Sequence, residues 1–332
     1  MKRTSRTRLL KLLLIPFLVG AGICAAKALP LGTISNPTTV SCGSGYYGGS
    51  VCTTVTVSCP NVADVQATYG YHTAKGTELG VVAFINGAQD TIPGGTLYAK
   101  GFVAYGFAIY QIVFATGWEA TGETPNLMNA ACRPATLLSY LQHLKFTLPF
   151  GVDAGSAGAG AVGYAMSWYG LTPQAVELSS GPAFSDIELG CEVPRAAHRL
   201  VLPTNGAAWT DLVQYNQLNT ENNLRAWTGD STCAGSNFTT PASDAAWKAM
   251  SIVSPGARAS FPKTVISGWV CNNAINNSAS HAYMWFEQVT SPWSLTAMTN
   301  CTGAEDVDNA TTPQGLTGLE AITADMETNL HF

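Results

Sequence analysis

From residue 79 onward the chain alternates continuous apolar runs with segments of helical spacing, and this alternation restricts its fold more than any other feature. A run that is apolar at every position fits a strand buried on both faces, which occurs when helices cover both sides of a mostly parallel sheet. Residues 79–86 (LGVVAFIN) and 108–115 (AIYQIVFA) are such runs. Residues 126–146 place Leu127, Ala131, Leu137, Leu138, Leu141 and Leu144 near helical spacing. A strand is expected at 147–153, then a glycine-rich turn and a helix over 159–169 that stops at Gly170, a residue suited to a helix C-terminus. Further strands are expected at 175–178, 264–270 and 294–299, with a last helix at about 316–330. The expected class is α/β, a mostly parallel central sheet flanked by helices, in one domain. About three hundred residues are enough for one such core.

Two segments stand outside this pattern. Residues 29–62 are rich in Thr, Ser, Val, Gly and Cys and alternate over 51–57, so they read as a disulfide-tied N-terminal β segment. Residues 184–260 carry turn signals and scattered aromatics, where a cap would be inserted.

The N-terminus places Lys2, Arg3, Arg6, Arg8 and Lys11 before or at the start of an apolar run to Ile23, followed by small residues. This reads as a signal peptide over residues 1–28. The run is short for a membrane span and ends at Lys27 and Pro30. A lipoprotein reading through Cys24 is disfavoured by Ile23, where a small residue is wanted. Beyond residue 28 eight cysteines remain, an even set suited to disulfides in an oxidising, extracellular or periplasmic setting. Cys42 with Cys52 or Cys59, Cys191 with Cys233, and Cys271 with Cys301 would close short or moderate loops. No CxxC pair and no histidine at ligand spacing points to metal. Charged residues are 11% of the chain and the net charge is −5, with no basic patch for nucleic acid. A neutral ester or polymer-like substrate suits such a surface.

The most informative segment is 150–164 (FGVDAGSAGAGAVGY), in which Ala154-Gly155-Ser156-Ala157-Gly158 sits between an expected strand and an expected helix. A serine on a sharp strand-to-helix turn needs small residues two positions to either side, so that strand and helix can approach. Ala154 and Gly158 supply them. The helix N-terminus then aims the Ala157 N–H where a tetrahedral oxyanion would form, and Gly87 or Ala88 would give the second donor.

With its helix (GSAGAGAVGYAMSWYGL), the upstream ETPNLMNAACRPATLLSYL and the downstream SSGPAFSDIELGC, this segment resembles secreted α/β-hydrolases of the esterase/lipase type. The resemblance implies a Ser-His-Asp/Glu triad that hydrolyses esters without a cofactor, with Ser156 as nucleophile. It also implies an acid after the sixth or seventh strand and a histidine after the last. The sequence departs from that pattern: residues 271–273 offer no carboxylate, and no histidine lies near Asp306. Of the five histidines, His281 lies between the last two strands and is the candidate base, and Asp186 is the candidate acid, with Glu305 and Asp306 as alternatives. His72 is expected ahead of the main sheet, His143 in the helix before the turn, His198 in the cap and His331 at the C-terminus. A protein that keeps this fold as a binding or structural module, without catalysis, is the rival expectation.

Other features read as structural. The eight tryptophans are dispersed, Asn237, Asn276, Asn300 and Asn309 begin N-x-S/T sequons, and Glu305, Asp306 and Asp308 lack the spacing of a calcium loop.

Overall fold

The computed structural model describes residues 28–86, 93–119, 127–182, 185, 199–200, 213–214, 248–271, 277–301, 307 and 309–330. Residues 1–27 of the expected signal peptide and most of the expected cap lie outside these residues, as do Cys191 and Cys233.

Nine strands form one sheet: β1 (Thr33–Val40), β2 (Val51–Ser58), β3 (Val65–His72), β4 (Gly80–Ile85), β5 (Phe107–Phe114), β6 (Phe150–Gly155), β7 (Ala175–Ser179), β10 (Val265–Cys271) and β11 (Trp293–Met298). A separate two-stranded ladder pairs β8 (Arg199–Leu200) with β9 (Val213–Gln214). The main sheet runs in the order β1-β2-β3-β5-β4-β6-β7-β10-β11. The six strands from β5 to β11 in this order are parallel, whereas β1, β2 and β3 join by antiparallel pairing. Helices α1 (Thr96–Tyr105), α2 (Leu127–Ala130), α3 (Cys132–Leu144), α4 (Ala157–Tyr169), α5 (Asn277–Gln288) and α6 (Gly318–Leu330) complete the described elements.

Apolar residues at successive positions of β4 face opposite sides and are buried on both. Val81, Ala83 and Ile85 join a core with α3, α4 and α5, while Val82 and Phe84 join a second core with α1 and α6. This is the physical content of a fully apolar strand, because alternate side chains leave a strand on opposite faces. The chain stops its helices where the sequence indicates: Gly170 adopts φ 74° after α4 and donates its N–H to the Ala165 carbonyl.

The N-terminal β segment is longer than its composition suggests, since β3 extends it to residue 72. His72 is therefore the last residue of a strand within the sheet, not a residue ahead of it; alternation over Val65-Gln66-Ala67-Thr68-Tyr69 carries the strand onto β5. Cys42 bonds to Cys52 and Cys271 to Cys301, and Cys59 reaches across to Cys132 at the start of α3. That last bridge, joining residues 73 positions apart, fastens the antiparallel extension to the helical layer. No described helix is long and apolar enough to cross a membrane.

Candidate active site

Strand β6 ends at Gly155 and α4 begins at Ala157, so Ser156 alone makes the bend between sheet and helix. Its backbone lies at φ 50°, ψ −117°. These angles match the first central position of a type II′ turn, which glycine dominates, and a side chain there is strained by about 1–3 kcal/mol. The bend is fixed by the Ser156 N–H donating to the Ser179 carbonyl at the end of β7 (2.8 Å) and by the Gly160 N–H donating to the Ser156 carbonyl (3.1 Å). Serine at a helix N-cap ordinarily uses its oxygen to cap the helix. Ser156 makes no such bond, and its side chain is partly exposed.

The small residues around it have a steric cause. A Cβ on Gly158 would lie 2.3 Å from the Ile85 carbonyl oxygen and 2.5 Å from that of Asn86. Both obstacles are backbone at the end of β4, so only glycine lets the first turn of α4 press against that strand. Ala154 is buried between Ile85 of β4 and Leu178 of β7. Gly158→Ala is accordingly expected to cost about 2–4 kcal/mol, beyond the usual range for a surface helix glycine, because backbone must move. Thermal unfolding of the variant checks this; a melting point equal to or above that of the parent would contradict it.

Ala157 is fully buried as the first residue of α4, and the amides of a helix's first turn have no partner within the helix. The Ala157 N–H thus lies beside Ser156 without a partner inside the helix. Gly87 and Ala88 lie outside the described residues, although Asn86, the residue before them, packs its carbonyl on Gly158.

Topology sorts the histidines. Parallel strands place the Ser156 bend at the carboxyl edge of the sheet. His72 pairs with Ile109 near the start of β5, and His143 closes α3 just before β6 begins, so both sit at the opposite edge. A six-residue strand separates the two edges by roughly 20 Å. His72 Nδ1 lies 2.6 Å from the Thr73 carbonyl and His143 Nδ1 lies 2.7 Å from that of Ser139. His281 is in α5, which starts six residues after β10 leaves the carboxyl edge; its side chain is outside the described residues. Asp186, His198, Glu305, Asp306 and His331 are outside them as well. The Cys271–Cys301 bridge ties the end of β10 to the chain that follows β11, so the two loops expected to carry acid and base share an anchor.

The sequence reading overlooked a set of buried acids. Asp153 and Glu177 are neighbours across β6 and β7, and Glu177 neighbours Ser267 of β10. All three face α6, which contributes Asp325. The Asp325 carboxylate accepts hydrogen bonds from Ser267 and from Asn329 (2.8 Å), and Glu177 accepts the Trp269 indole N–H (2.6 Å). Burial, followed by the nearby Asp325, pushes the Glu177 carboxyl well above the usual range. On the other side of the sheet Glu119 is 1% exposed beside buried Arg133, and burial raises it to about 7. A signal was present: Asp153 and Glu177 interrupt otherwise apolar strands, and such interruptions in a doubly covered sheet are buried on either face.

Neither a protein-family model nor a curated protein sequence matches the chain. Among solved structures it is similar to a thermostable carboxyl esterase from Bacillus coagulans, at 14% identity over 84% of this chain and 99% of that one, with a TM-score of 0.51. It is also similar to acetyl xylan esterase 1 from a Thermoanaerobacterium species, at 11% identity over 91% and 89% of the two chains, with a TM-score of 0.54. Identities this low speak for architecture alone, and the sheet order, the crossing helices and the Ser156 bend speak for the same architecture. The chain therefore has the α/β-hydrolase fold of these esterases, a mostly parallel sheet flanked by helices.

Proposed function

We propose that the chain is an extracellular serine hydrolase that cleaves carboxylic esters, with Ser156 as nucleophile, His281 as base and Asp186 as acid. The observation that carries this reading is Ser156 itself: a partly exposed serine in a strained backbone, uncapping, at the carboxyl edge of the sheet. Strain of this kind persists where the surroundings hold it and function uses it. In the reaction the Ser156 oxygen attacks the ester carbonyl carbon while His281 takes its proton. The oxyanion gathers the Ala157 N–H and that of Gly87 or Ala88, the alcohol leaves with the proton, and water then releases the acid from the acyl-enzyme. Disulfides and the N-terminal sequence support an extracellular setting.

A second reading, a non-catalytic binding module, is favoured by one observation: no histidine occurs in the sequence between β11 and α6. A fluorophosphonate probe separates the two. Covalent labelling that disappears in Ser156→Ala, and slows by at least about a hundredfold in His281→Ala, is the expected result. A folded protein that takes no label speaks for the binding module, and unchanged labelling of His281→Ala removes that residue as base.

A further inference from the structure

Beside the last two strands lies an open groove of about 320 Å³ whose wall includes Trp269 of β10, Thr296 of β11, Thr312 and Gln314 of the following loop, and Asp325 and Thr328 of α6. This volume is at the low end of the range of roughly 300–1,000 Å³ found for small-molecule sites. We propose that it binds a neutral sugar, one or two pyranose rings, independently of any role of Ser156.

The chemistry of the wall selects the ligand. A sugar hydroxyl both donates and accepts, and its ring carries apolar C–H faces beside those hydroxyls. The groove offers both kinds of partner. The Thr312 oxygen accepts the Leu316 N–H (3.1 Å), which leaves its proton to give. Thr328 gives its proton to the Ala324 carbonyl (2.8 Å), which leaves its oxygen to accept. The Gln314 amide does both, and the Asp325 carboxylate, which accepts from Ser267 and Asn329 and also bonds the Glu177 carboxyl, adds an acceptor.

Leu316, 46% exposed, is the accessible apolar part of the wall, and Trp269, 6% exposed, is a rigid part of it. The indole of Trp269 is held by its N–H bond to Glu177 in the sheet interior, and Asp325 is held by two donors. Preset groups spare a weak ligand the cost of ordering them. None of the described lining residues is cationic, which disfavours phosphate, sulfate and carboxylate ligands. Trp269 is in register with Ser179, whose carbonyl fixes the Ser156 bend. The groove thus lies at the level of that bend, two strands away, which is roughly 10 Å across the sheet.

The test is isothermal titration of the folded, disulfide-bonded protein with cellobiose and xylobiose. Binding at one site per chain is expected, weakened about fivefold in Gln314→Ala and in Thr328→Val, the loss of one hydrogen bond each. Both positions are exposed, so these variants keep the fold. Ser156→Ala is expected to bind both sugars as the parent does, so failure of the hydrolase reading and failure of this one are distinguishable. No heat with either sugar at roughly tenfold above a millimolar dissociation constant overturns the proposal. Binding that neither variant weakens overturns it too, as does heat with calcium chloride alone and none with sugar.

Discussion

Ser156→Gly is expected to be inactive toward esters and yet more stable than the parent. Glycine reaches φ 50°, ψ −117° without steric cost, whereas serine there carries about 1–3 kcal/mol of strain, so the substitution releases part of that energy. A gain of about 1 kcal/mol is expected after subtracting the extra freedom glycine has in the unfolded chain. The hydroxyl, meanwhile, is the atom that would form the acyl-enzyme, and in serine hydrolases its removal lowers turnover on the order of a millionfold. Activity and stability therefore move in opposite directions, which a merely structural serine would not produce. Assaying ester turnover and thermal midpoint side by side checks the argument. If the glycine variant hydrolyses esters at the parent's rate, Ser156 is not the nucleophile; if it melts lower, the side chain contributes packing or hydrogen bonding that outweighs the strain.

What could be read from the sequence follows the range of the interaction concerned. Strands β4 and β5 announce themselves because burial on both faces leaves a nearly unbroken apolar run, a local signal that β6 and β7 share apart from Asp153 and Glu177. The bend at Ser156 is equally local: strand, small residue, serine, small residue, helix. Helix α1 was not foreseen; its Thr96-Leu-Tyr-Ala-Lys-Gly-Phe-Val-Ala-Tyr sequence holds an internal glycine and is apolar around most of its circumference, so no polar face marks it. The expected single helix over residues 126–146 is instead the short α2 followed by α3, and their boundary falls at Ala131. Cys59 was as plausible a partner for Cys42 as Cys52 was, because loop length cannot separate them. The choice is made by β1 and β2, whose register sets Cys52 opposite Val40, two residues from Cys42, and sends Cys59 off the strand end toward α3. The buried acids have the least local signature of all. Asp153, Glu177 and Asp325 come from three elements, and their proximity exists only once β6 and β7 pair and α6 covers them.

That proximity governs the last and largest stability effect, a loss of stability from mild acid to neutral pH. Glu177 is enclosed by Asp153 from β6, Asp325 from α6 and the neutral Ser267 and Trp269 from β10, and among the described residues no cation enters the group. Its neutral form is favoured in the fold and its charged form in the unfolded chain. A carboxyl raised on folding contributes its stability fully below the unfolded value near 4.5 and loses it as pH rises toward the folded value. Glu119 follows the same sign between 4.5 and about 7, which corresponds to about 3 kcal/mol. Glu78 runs the other way, since the Tyr71 hydroxyl and Lys145 outweigh its partial burial and lower it, but it is near the surface and its effect falls below pH 4.5. Net stability is therefore expected to peak in mild acid, with a thermal midpoint on the order of 5–10 °C lower at pH 8 than at pH 5. Glu177→Gln keeps an acceptor for the Trp269 indole and removes the titration, so its midpoint is expected to rise at pH 8 and change little at pH 5. Glu119→Gln acts independently on the other face of the sheet, and the double variant is expected to have a nearly flat profile over this range. Differential scanning calorimetry of the parent and three variants between pH 4 and 8 measures all of this. A parent that is more stable at pH 8 than at pH 5, or a Glu177→Gln profile parallel to the parent's, would mean that compensating charge reaches these acids and that α6 is not held down by a protonated carboxyl.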